Sequence, residues 1–280
     1  MTSTLITNLI ASGALAAACA VLSVLVVLRR WAFVGEGIGH SGFGGAGTAW
    51  LLALAVPALD QPWVTYLSVV LFCLITALLI GRVSRWRAVN SDAAVGVFLV
   101  ASLAWGFLAQ QIYFFKRGRL PAQFEALLFG RMGDVSPQFA LVAAAVCGAV
   151  VLIITLLGKE VIAYCFDPLT AQTSGVRTNL IHDLLMILLA VVIIIGTPVV
   201  GSVLVVALLV LPGVTALLLS QRLDRVIAIS VCIALVSAAA GVLLSRKWVF
   251  IPTGPAIVLA LFAQFVIATF LSRARRAVTS

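Results

Sequence analysis

Charged side chains are scarce in this chain: 10% of its 280 residues are Asp, Glu, Lys or Arg, where an ordinary soluble domain has about 25%. With 63% hydrophobic residues, it lacks the polar surface needed to cover a body folded in water. Its three lysines, Lys116, Lys159 and Lys247, leave no GxxxxGKS or GxxxxGKT motif, since Lys159 follows Gly158 but precedes Glu160. Nucleotide binding through a P-loop is thereby excluded. Its two histidines, His40 and His182, lie far apart, so there is no HExxH and no zinc protease of that kind. The five cysteines, Cys19, Cys73, Cys147, Cys165 and Cys232, form no CxxC pair and read as small buried apolar residues, not as a disulfide or metal framework. The longest polar stretches, 114–137 and 159–179, are too short to hold a soluble core. A net charge of +9 does not indicate nucleic acid, because the basic residues sit in short clusters between apolar runs.

Those apolar runs dominate the chain. A transmembrane helix needs about 20 predominantly apolar residues, which at about 1.5 Å each cross the hydrocarbon core. Runs at about 5–28, 31–56, 63–81, 92–113, 138–158, 180–199, 202–219, 226–245 and 253–272 meet this. They show none of the ten-residue alternation of barrel strands. The predicted architecture is an all-α integral membrane protein, a single polytopic helix bundle over 1–280. It has nine spans, or eight if the runs flanking Gly196, Thr197, Pro198 and Gly201 form one broken segment. The first run has no basic stretch before it and Arg29 and Arg30 after it, so it reads as a retained helix and not a cleaved signal. Lys and Arg favour the cytoplasmic side. Arg29/Arg30, Arg82/Arg85/Arg87, Lys159/Arg177, Arg222/Arg225 and Arg273/Arg275/Arg276 fall on alternate connections if the N-terminus is outside. Arg246/Lys247 and the 114–137 connection run against this order, and a re-entrant piece around FEALLFGRMG is one explanation of the second.

An ionisable residue within a span costs about 2.5–3.5 kcal/mol on insertion scales and is by default a functional candidate. Glu36 and His40 are the two that stand well inside one, in GEGIGHSGFGGAG. At four residues apart they share a helix face. A carboxylate and an imidazole together suit zinc, manganese or iron; the alternative is a structural hydrogen bond between them. The surrounding glycines permit close helix packing or leave room for a ligand. His182 and Asp183, opening the sixth span, and Asp92, opening the fourth, read as solvated or capping residues. The segment 166–176 reads as a short cytoplasmic helix: Asp167 fits the N-cap, Pro168 the first helical position and Gly175 the stop. Two turns have little stability of their own, so this helix is expected to dock on a partner.

Six segments, in order, resemble one family. GEGIGHSGFGG at 35–45 is similar to the GDALSHAVLPG signature of the ABC-3 family of zinc, manganese and iron permeases, with Glu36 in place of Asp, Gly39 of Ser and Gly44 of Pro. DAAVGVFLVASLAWGFL at 92–108, LLFG at 127–130, FDPLTAQTSGV at 166–176, VVGSVLVVALLVLPGVTALLL at 199–219 and IPTGPAIVL at 251–259 resemble further family segments. The resemblance implies a non-enzymatic, multi-pass permease subunit in a prokaryotic cytoplasmic membrane. It implies cytoplasmic ATPase subunits, an extracytoplasmic metal-binding protein and a second permease chain, identical or related, as partners. It implies no permanently bound cofactor, only the transported zinc, manganese or iron. Glu36 and His40 then match the family's metal-pathway residues, and Phe166, Asp167, Pro168, Leu169, Ala171 and Gly175 belong to its segment of coupling to the ATPase. Because one Glu and one His are too few for a closed site, the second span is expected to face a second chain, with Gly39 and Ser41 near the axis and Trp50 turned away. The alternative is an ion-coupled secondary carrier that needs no ATPase; a membrane-embedded enzyme is disfavoured, since the pair supplies no nucleophile.

Overall fold

The computed structural model describes residues 2–86, 89–118, 136–248 and 252–279. Among them the helices are α1 (Thr2–Leu28), α2 (Val34–Ala55), α3 (Pro62–Val83), α4 (Ser91–Arg117), α5 (Pro137–Leu156), α6 (Gly158–Phe166), α7 (Pro168–Thr173), α8 (Thr178–Val200), α9 (Ser202–Leu219), α10 (Leu223–Lys247) and α11 (Thr253–Thr279), with a 3-10 turn at Pro57–Leu59. The nine expected spans correspond to α1–α5 and α8–α11. Seven of these are long and apolar enough to cross a membrane; the glycine-rich α2 falls outside the seven, and α9 contributes a shorter apolar stretch, Leu204–Leu219. The sixth and seventh spans are separate helices because Gly201 takes φ 85, a left-handed conformation that costs glycine little. The suggested re-entrant piece around FEALLFGRMG and the LLFG match lie outside the described residues.

Local chemistry sets the helix ends. Ser136 caps α5 by accepting from the Phe139 N–H at 3.2 Å, and Pro62, Pro137 and Pro168 each open a helix, where the missing N–H has no cost. α1 closes with Trp31 N–H donating to Val26 O at 2.8 Å and Arg30 N–H to Val27 O at 3.1 Å, with Arg30 at φ 57. That reversal is why α2 begins at Val34 and not at the apolar boundary near 31. α6 is a helix at the start of the polar connection 159–179: Val161, Tyr164 and Cys165 are its buried face, at the three-to-four spacing of one helical stripe.

The chain divides into two compact units, 1–32 with 131–178 and 203–280, and 33–130 with 179–202. In the first, α1 packs against α5 and α10. Buried hydroxyls tie it further: Ser230 donates to Ala20 O at 2.8 Å, and Ser23 accepts from Gly213 N–H at 2.8 Å. Val24, Ala216 and Val226 form one buried cluster, which puts the basic groups 29–30 and 222–225 at the same end, and the Arg29–Tyr164 hydrogen bond at 3.2 Å adds α6 to that end.

In the second unit α2 lies between α3 and α4, and its glycines make this possible. A Cβ at Gly45 would stand 2.7 Å from Val69 Cα and 2.8 Å from Ser68 O, both backbone atoms, and Ser68 donates its hydroxyl to Gly45 O at 2.7 Å. On the opposite flank a Cβ at Gly47 would lie 3.0 Å from Gly106 Cα. Gly45→Ala must push two helices apart; it is expected to cost about 1–3 kcal/mol, read as a lower thermal transition of the purified protein in detergent. An unchanged transition would mean that this contact is looser than the fold requires.

Candidate functional site

Glu36 and His40 occupy the first two turns of α2. His40 Nε2 lies 3.2 Å from Glu36 Oε1, and the side chains are 27% and 44% exposed respectively. A carboxylate can only accept, so Nε2 carries the proton of this hydrogen bond and a neutral ring keeps Nδ1 as a lone pair. The structure therefore brings together the two residues that the sequence singled out. Among the described residues no third His, Cys, Asp or Glu joins them, and no group of three that could hold a metal ion occurs.

His40 opens onto a cavity within the second unit. Its walls include Gly39, Gly42 and Phe43 of α2, Tyr66, Val69 and Cys73 of α3, and Ile193, Ile194, Thr197 and Pro198 of α8. It leaves about 50 Å³ for the centre of a water-sized sphere, several times the roughly 10–15 Å³ that one water needs on that measure. Gly39 and Gly42 leave the α2 side of this space bare. Tyr66, Thr197 and Pro198 were not foreseen; the available signal was a Thr-Pro pair interrupting an apolar run.

His182 corrects the sequence reading. It is not solvated but 4% exposed, and its Nε2 lies 2.9 Å from Gly81 O. A carbonyl only accepts, so Nε2–H donates and joins α8 to α3. Its neighbour Asp183 takes Arg85 Nη2 at 2.9 Å, and Asn179 Oδ1 takes Arg85 Nη1 at 3.1 Å. Asp92 is exposed in the first turn of α4, as expected. His182→Ala is expected to lower stability by about 1–3 kcal/mol, the cost of stranding a buried acceptor, while transport at a permissive temperature persists. A transport defect without a stability defect would place His182 in the pathway instead.

The segment 166–176 folds as expected. Asp167 accepts from Leu169 N–H at 3.0 Å and Thr170 N–H at 3.2 Å, and from the Thr170 hydroxyl. Those hydrogen bonds, the Thr170 hydroxyl first, hold its carboxyl below the usual range. The cap is therefore intact above the ordinary aspartate pKa and is lost only as pH falls through the depressed one. Gly175, at φ 87, closes α7, with Val176 N–H donating to Ala171 O at 3.0 Å and Gly175 N–H to Gln172 O at 3.1 Å. Of the expected coupling residues, Ala171 is 3% exposed and faces inward, whereas Phe166 at 65% and Leu169 at 76% are exposed apolar side chains. The helix before it is braced by Arg29, whose guanidinium carbon sits 4.5 Å from the Tyr164 ring centroid and 5.4 Å from that of Trp31. Burial pushes the Cys165 thiol on the same helix up to about 11 against the pull of Arg29.

Trp50, expected to face outward, is buried against Phe43, Ala46 and Tyr113, and Ser41 is buried too, donating to Ile38 O at 2.7 Å. The open side of α2 carries Glu36, Gly39 and His40.

The model of the ABC 3 transport family matches residues 1–272. A probable iron transport system membrane protein of Haemophilus influenzae is 31% identical over 259 residues, covering 92% of this chain and 89% of its own length. A manganese transport system membrane protein, MntC, of Halalkalibacterium halodurans is 32% identical over 254 residues, covering 91% and 82%. Among solved structures, PsaBC from Streptococcus pneumoniae in complex with Fab superposes with a TM-score of 0.77 at 25% identity, over 95% of this chain and 90% of that one.

Proposed function

We propose, from the premise that this chain belongs to the ABC 3 transport family, that it is the membrane-spanning permease of an ATP-driven importer for a divalent transition metal. It works in a prokaryotic cytoplasmic membrane with separate ATPase chains, an extracytoplasmic metal-binding protein and a second permease chain. The observation that carries this reading is the Glu36–His40 pair, part-exposed at the start of a glycine-lined helix, with His40 opening on the cavity. The names of the relatives favour manganese and iron over zinc as cargo.

One Glu and one His hold a cation too loosely to trap it. Two chains about a two-fold axis supply two carboxylates and two imidazoles, enough for the four ligands zinc usually takes, with water filling further positions on a harder ion. Separation of the halves then dismantles the site and releases the ion. α7 provides the coupling: its caps fix a short helix whose exposed Leu169, with exposed Phe166 at the end of α6 just before it, suits a groove on the ATPase.

Two measurements test the assembly. An ATPase chain is expected to co-purify with this permease from cells expressing the whole system; a permease active in metal uptake without one would be a secondary carrier. In an otherwise cysteine-free protein, cysteine at position 39 is expected to crosslink between permease chains, while cysteine at exposed Leu52 is not. Crosslinks confined to position 52 across transport states would refute the shared site.

A further inference from the structure

The part of the cavity wall supplied by α8 contains a main-chain oxygen that lacks its i+4 donor. Within α8, Pro198 sits inside the helix and has no N–H, so the carbonyl four residues earlier, that of Ile194, loses its α-helical partner. A helical carbonyl points along the axis toward the N–H of residue i+4, on the same strip of the helix. Ile194 and Pro198 both line the cavity, so the released oxygen lies on the strip that faces it. The neighbouring hydroxyl does not compensate, because Thr197 donates to Ile193 O at 2.7 Å. A carbonyl in a partly buried wall that has lost its i+4 donor has a lone pair open to water or a cation in place of the missing N–H.

We infer that the Ile194 carbonyl is a further oxygen ligand, direct or through one water, for the cation held at His40, and that Pro198 is the positioning residue that frees it. This rests on the metal-transport reading above. A neutral carbonyl oxygen suits a hard, six-coordinate ion such as Mn(II) better than Zn(II), which prefers nitrogen and sulfur in four-coordinate sites. Pro198 thereby weights the pathway toward the harder cation. A role in bending α8 alone predicts no such preference.

The test uses the complete detergent-solubilised transporter without its binding protein, titrated with Mn(II) alone by EPR and with Zn(II) by competition. Pro198→Ala restores an N–H that reclaims the Ile194 carbonyl. It is expected to weaken Mn(II) binding about tenfold, the low end of what removal of a metal-supporting group costs, while Zn(II) binding changes much less. Equal losses for both ions, or none, would overturn the inference. A second measurement needs no variant: wild-type transporter labelled with carbonyl-13C isoleucine and loaded with Mn(II) is expected to show a 13C coupling in electron–nuclear double resonance. Its absence while Mn(II) is bound would overturn the inference and leave the metal reading standing, whereas a wild type that binds no metal would overturn both.

Discussion

Alanine at His40 or at Glu36 is expected to abolish metal uptake while the chain still inserts and assembles. Both side chains are part-exposed, at 27% and 44%, so truncation opens no hole in a packed core. An exposed helical pair of this kind contributes only about 0.3–0.5 kcal/mol, too little to threaten folding. The loss is expected to fall on the cargo, since each alanine removes one of the two ligands proposed per chain, and in the proposed two-fold assembly each substitution counts twice. Glu36→Asp supplies the discriminating control. It shortens the carboxylate by one methylene but restores the family residue at that position, and is expected to keep substantial uptake with an altered choice among manganese, iron and zinc. Uptake assayed at matched expression decides; wild-type rates in both alanine variants would leave the pair a structural hydrogen bond.

The second large effect is expected at α7. Leu169→Glu places a charge on a side chain that is 76% exposed, so little packing within the permease depends on it. The caps at Asp167 and Gly175 remain, so the helix persists while the apolar patch it shares with Phe166 is broken. Transport is expected to fall to background, with loss of the ATPase on co-purification or with ATP turnover that no longer responds to transport. Ala171→Glu differs, because Ala171 is buried; it is expected to unseat α7 and reduce yield as well. If Leu169→Glu preserves both co-purification and coupled turnover, 166–176 is a connector only.

The features legible in the sequence were those written in local chemistry. Asp167, Pro168 and Gly175 announce a capped two-turn helix, and the Glu36–His40 spacing places both groups on one face whatever surrounds them. Features that depend on which face of a helix is inside were not legible. α2 is apolar or glycine nearly all round, so nothing in its periodicity distinguishes buried Trp50 from a lipid-facing position. His182 stands near a helix start, where solvent is the ordinary expectation, and only the approach of Gly81 reveals its buried role. In the sequence Arg29 is one of several basic residues flanking a span, yet in the fold it stacks on Trp31 and Tyr164. The stripe of Val161, Tyr164 and Cys165 that makes α6 a helix was visible but lay in a stretch read as a polar connection. The cavity wall required three helices to be placed together, which no single segment encodes.

The most direct test of the central claim is uptake of manganese, iron and zinc, side by side, by proteoliposomes holding the permease with its ATPase and metal-binding protein. Uptake is expected to require ATP on the ATPase side, to favour manganese or iron, and to vanish in the His40→Ala permease. Metal uptake that proceeds without ATP, or that survives the loss of His40 undiminished, would contradict the account.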